Sequence, residues 1–166
     1  MVMTAREDKS LLKALEIAIQ REANAFDNYR HMARHVQDAG LKNKLQFLSK
    51  EEAFHREKLD SLYRELSGGK KCRSASRKGE ADAEGGEVSS VIDILRSAAQ
   101  KEQEAHHFYV LASHDTKEAE LHKLFEYLAG EELIHQQMIM LEITILEGRE
   151  AESPLETIPW HLREWW

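Results

Sequence analysis

Apolar residues recur along this chain at alternating intervals of four and three. Leu11, Leu15, Ala18, Ala25, Tyr29, Met32 and Val36 keep this rhythm, with Glu22 taking the step between Ala18 and Ala25. Leu41, Leu45, Leu48, Leu59 and Leu62 repeat it around Glu52 and His55. Leu95, Ala98, Ala105, Tyr109 and Ala112 do so around Glu102, and Leu121, Phe125, Leu128 and Ile139 around Glu132 and His135. Such spacing holds a set of side chains on one face of an α-helix, so four amphipathic helices are predicted. Both prolines, Pro154 and Pro159, fall beyond them, leaving their interiors free of the strongest helix breaker.

Local signals mark the ends. Thr4 with Glu7 and Asp115 with Glu118 have the spacing of capping boxes, and Gly40 lies between the first two seams, where a tight connection is expected. The run "SGGKKCRSASRKGEADAEGGE" from residue 67 is rich in Gly, Ser and charge and predicts a linker over 67–88. The expectation is an all-α antiparallel four-helix bundle over residues 1–147, made of two helical hairpins joined by a long crossover. Residues 148–166 form a separate tail with Trp160, Trp165 and Trp166, expected to cap an open end of the bundle or to pack in a dimer, with a docking segment for a partner or a membrane interface as the alternative.

Composition narrows the class. A chain of 166 residues, 42% hydrophobic, is long enough for one full core. No apolar run is long enough to cross a membrane and "MVMTAREDKS" lacks the apolar centre of a signal peptide, so no integral membrane segment and a cytoplasmic location are expected. A net charge of -7 argues against nucleic acid as a partner. Cys72 is the only cysteine, which excludes an internal disulfide or a metal site of four cysteines.

The chain also repeats itself. Displaced by eighty residues, Leu15 meets Leu95, Glu22 meets Glu102 and Tyr29 meets Tyr109, and the same register carries Glu52 onto Glu132 and His55 onto His135. A two-helix unit has been written twice. Glu22, Glu52, Glu102 and Glu132 fall on apolar seams with no Lys or Arg nearby, where four neighbouring anions are very costly. Two divalent cations neutralise them in formal charge. Glu52 with His55 and Glu132 with His135 stand three apart on one helix face, so each pair can reach one ion. Four carboxylates and two imidazoles are the donor set of a di-iron or di-manganese centre built in a helical bundle. The Glu-x-x-His motif alone carries little specificity, since Glu104 with His107 also makes one and Glu120 with Tyr127 copies the spacing of Glu22 with Tyr29, both off the seams. Phase, repeat and placement together supply it. His106, one turn beyond Glu102, is expected to face outward or line a helix contact, with approach to the site as the alternative; Met138 and Met140 are expected to pack in the core.

The segments "REANAFDNY", "KEEAFH", "KEQEAHHFY" and "GEELIH" resemble the rubrerythrin branch of the ferritin-like superfamily, over roughly residues 8–147. The resemblance implies a ferritin-like fold and two Fe ions, with Mn or Zn as substitutes. It implies Glu52 and Glu132 as bridging ligands, Glu22 and Glu102 as terminal ones, and His55 and His135 on one metal each. Tyr29 and Tyr109 would donate hydrogen bonds behind the ligands. It further implies reduction of hydrogen peroxide or O2, and a homodimer is expected. Two departures stand out. Rubrerythrins usually append a rubredoxin domain, which one cysteine cannot build, so a rubredoxin-like or flavin-linked donor must be external. They usually also carry a further glutamate where Ala105 stands here, which puts peroxidase activity in question. A peroxide- or dioxygen-reducing oxidoreductase, a ferroxidase and a metal-stabilised structural or interaction module all remain open.

Overall fold

The computed structural model describes residues 5–72 and 90–148, with side chains from Lys9 onward. The tryptophan-containing tail, most of the 67–88 linker and the Thr4 with Glu7 pair lie outside the described residues. Within them all regular structure is helical: α1 (Ala5–His35), α2 (Ala39–Leu66), α3 (Val91–Asp115) and α4 (Ala119–Leu146). The all-α class and the four helices are those the periodicity predicts. The chain divides into two compact units, Met1–Ala83 and Glu84–Trp166, each holding one hairpin.

In the first unit α1 and α2 are joined by Val36, Gln37 and Asp38. Asp38 starts α2 from an extended conformation, and its Oδ1 accepts from the Leu41 amide at 2.7 Å. Gly40 thus lies inside the first turn of α2 rather than in the connection, because the aspartate cap precedes it. The helix stops in a left-handed turn. Gly68 and Gly69 have φ of 70° and 88°, and their amides return to the carbonyls of Glu65 and Arg64 at 3.4 and 2.7 Å, which satisfies two of the acceptors in the last turn of the helix. Leu15, Ala18 and Ile19 of α1 pack with Leu41, Leu45, Leu48 and Leu59 of α2 in the buried core. Tyr63 is buried at the end of this seam in place of Leu62 and donates to Oε1 of Glu16 across the hairpin at 3.1 Å.

The second unit keeps this plan with different local chemistry. Thr116, Lys117 and Glu118 join α3 to α4, the first connection displaced by eighty residues. Asp115 is the last residue of α3, and Glu118 precedes α4 without any side-chain cap, so the capping box predicted for this pair does not form. Ser90 caps α3 instead, its hydroxyl oxygen accepting from the Asp93 amide at 3.1 Å. Leu95, Leu121, Phe125, Leu128 and Ile139 form the core with Met138, whereas Met140 is 45% exposed and does not pack there. It stands one residue past Ile139, nearly a third of a turn around the helix, and so falls off the four-and-three seam that carries Ile139 into the core. At the open end of the hairpin Arg96 of α3 meets Glu147 at 2.6 Å.

Candidate metal centre

Each hairpin carries one cluster of ligand-type side chains. In the first, α1 supplies Glu22 and α2 supplies Glu52 and His55, one turn apart on the buried face. None is more than 2% exposed. His55 Nδ1 lies 3.6 Å from Glu22 Oε2 and 3.7 Å from Glu52 Oε2. In the second hairpin, α3 supplies Glu102 and α4 supplies Glu132 and His135, at most 3% exposed. His135 Nδ1 stands 3.8 Å from Glu132 Oε2. One donor atom from each of the three residues in a hairpin lies within 4.8 Å of the others.

These separations discriminate between two explanations. A carboxylate bonded to an imidazole N–H brings its oxygen to about 2.7–3.2 Å, and all three contacts are longer. Donor atoms each about 2.1 Å from a shared ion stand about 3–4 Å apart, which is where they lie. The donor types agree, because oxygen and neutral imidazole suit divalent iron, manganese and zinc. Each cluster could therefore hold a metal ion.

The surroundings sort the other candidates. Tyr29 and Tyr109, two turns beyond Glu22 and Glu102 on the same faces, are buried at 2% and 0%, and the Tyr109 ring lies 5.8 Å from that of Phe125. His106 is half-buried, and its Nδ1–H donates to the Ala129 carbonyl of α4 at 2.7 Å. It is thus the helix contact, tying α3 to α4 between the turns that carry Glu102 and Glu132. Glu104, His107, Glu120 and Tyr127 are all exposed, as their phase requires. Ala105 is buried and brings no polar atom to the cluster. One buried acid was not foreseen: Glu142, 6% exposed on α4. It continues the four-and-three rhythm from Ile139, so extending the seam by one step finds it.

The comparisons bear on both clusters at once. The family profile described as Rubrerythrin matches residues 13–143, which takes in all six ligand-type residues and both tyrosines. A solved structure of a hypothetical protein from Pyrococcus furiosus is similar over 85% of this chain and 93% of its own, with 27% identity and a TM-score of 0.69. No protein of curated function matches. With the profile covering most of the sequence, both helical hairpins and both buried Glu, Glu, His sets, the chain belongs to the rubrerythrin family.

Proposed function

We propose that each cluster holds one iron ion and that the protein is a di-iron carboxylate oxidoreductase reducing hydrogen peroxide or dioxygen. The observation that carries this reading is the duplicated buried set of two carboxylates and one imidazole in a member of the rubrerythrin family. Iron, when bound, supplies the electron transfer and the open coordination positions that cleavage of an O–O bond needs.

The chain's own residues do the rest. Glu22 and Glu52 would supply the carboxylate ligands from the first hairpin, and Glu102 and Glu132 those from the second. A carboxylate can bind through one oxygen or two, so these side chains would adapt to a bound ion without moving their helices. His55 and His135 would bind as neutral imidazoles and supply the nitrogen ligands. Tyr29 and Tyr109 orient the carboxylates through their hydroxyls, a role supported by their burial two turns along the same faces. Leu15, Ile19, Leu95 and Leu128, at most 1% exposed, exclude water and lower the local dielectric, which strengthens each carboxylate–metal contact. Electrons would come from a rubredoxin-like or flavin-linked donor, since one cysteine cannot build a four-cysteine iron site within these 166 residues. A ferroxidase uses the same six residues with iron as substrate, and the apolar Ala105 favours that second reading.

Anaerobic loading with Fe(II) followed by elemental analysis tests the assignment. About two ions per chain are expected, falling to none in the double variant Glu52→Ala, Glu132→Ala and unchanged in Glu104→Ala. Loading to a hundredfold above the dissociation constant adds about 2.7 kcal/mol, a rise of about 5–10 °C in melting temperature for a domain of this size. Failure of the wild type to retain metal, or identical melting with and without it, rules the reading out. Peroxide should oxidise the loaded protein once and then stop until a donor is added, whereas preference for dioxygen with release of Fe(III) identifies the ferroxidase.

A further inference from the structure

One surface pair of the first hairpin has no counterpart in the second. His31 and His35 stand four apart in the last two turns of α1, both exposed, and their ring centres lie 4.3 Å apart at an interplanar angle of 37°. At the eighty-residue displacement their places fall to Leu111 and Asp115. A hairpin of this plan therefore forms without two imidazoles at this point, and their use must be sought in their chemistry. His35 Nδ1–H donates to the His31 carbonyl at 2.8 Å. A carbonyl only accepts, so in the neutral ring this bond fixes the proton on Nδ1 and leaves the lone pair on Nε2. A ring held through its other nitrogen by a backbone carbonyl is the arrangement that orients a metal-ligating histidine.

We infer that His31 and His35 form a metal site of a second kind, an exposed one that chelates a single divalent transition-metal ion through one nitrogen of each ring. Histidines four apart lie one above the other on a helix face and can share an ion. An ion about 2.1 Å from a nitrogen of each ring, with its two bonds near a right angle, sets the ring centres about 4.5 Å apart, close to the observed 4.3 Å. Imidazole selects zinc, copper, nickel or iron over magnesium and calcium, which prefer oxygen. The placement favours a cation as well. His35 is the last residue of α1, where the helix carbonyls concentrate partial negative charge, and Asp27, exposed one turn before His31, adds an anion to the same face. Arg30, whose guanidinium lies over the Phe26 ring at 5.1 Å, and Arg34 work against it. With two ligands, water completing the shell and those arginines nearby, this ion binds more loosely than one in a buried cluster and is lost on desalting.

The test is a calorimetric and NMR titration with Zn(II) of the full-length protein, first loaded with Zn(II) and desalted. Elemental analysis of the desalted sample counts the buried ions, so the two assignments succeed or fail separately. About one further ion per chain should then bind, moving the ring resonances of His31 and His35 together. Asparagine at either position removes one arm of the chelate. His31→Asn and His35→Asn should therefore each weaken binding by about a hundredfold, with unchanged circular dichroism and unchanged retained metal. His107→Asn, at another exposed histidine, should bind the further ion as the wild type does. Absence of a further ion, or one whose affinity survives both substitutions, overturns the inference, as does binding that moves only one of the two rings.

Discussion

Asp93 is an exposed carboxyl whose titration is nevertheless tied to folding. The Ser90 hydroxyl donates to its Oδ2 at 2.7 Å and, with the Ser90 backbone and the charge of Arg96, holds the carboxyl below its ordinary value of 3.8. A depressed folded-state pKa contributes stability that is present above the unfolded value and lost as pH falls through the folded one. The expected loss therefore lies in acid, below about pH 4. Ser90→Ala should raise the Asp93 titration midpoint seen by NMR and remove its share of the acid sensitivity. At the same scale, the burial of the six ligand-type residues was legible because their spacing put them on apolar seams. His106 was not. Its phase left several directions open, and the choice is made by the Ala129 carbonyl on another helix, which no local pattern reveals.

The helices themselves were legible to within a few residues, and their ends less so. Seams are long and redundant, whereas a cap depends on one side chain and one backbone conformation. Asp38 and Glu118 occupy equivalent places in the two hairpins, yet only the aspartate bonds the helix it precedes. Its shorter side chain reaches back to the Leu41 amide, while glutamate's additional methylene carries the carboxylate past it. Asp38→Ala should cost about 1 kcal/mol in thermal or denaturant unfolding. Glu118→Asp should stabilise the second hairpin by a similar or smaller amount, and a neutral result would mean that the α4 amides already have equivalent partners. The capping signal expected at Asp115 misled because α3 continues through that residue. Side-chain spacing alone cannot tell the close of one helix from the start of the next when only Thr116, Lys117 and Glu118 separate them.

At the scale of the whole molecule, the eighty-residue repeat is the most informative feature of the sequence, and the structure extends it to helix boundaries. α1 and α3 end at His35 and Asp115, α2 and α4 begin at Ala39 and Ala119, and the latter end at Leu66 and Leu146. What the repeat hid was the difference between its copies. The seams hold the same residue types, so the exposed His31 and His35 of the first hairpin, against Leu111 and Asp115 of the second, emerge only when the outward positions are compared. The two three-residue connections also have a kinetic consequence. Each brings a pair of long helices together at the cost of closing a very short loop, so native contacts within a hairpin form between segments that are already neighbours in the chain. Helical proteins of such low contact order fold in microseconds to milliseconds. Stopped-flow refolding should therefore recover most of the helical signal within about a millisecond, and lengthening either connection with glycines should slow that phase while leaving the rate of metal uptake by the folded chain unchanged.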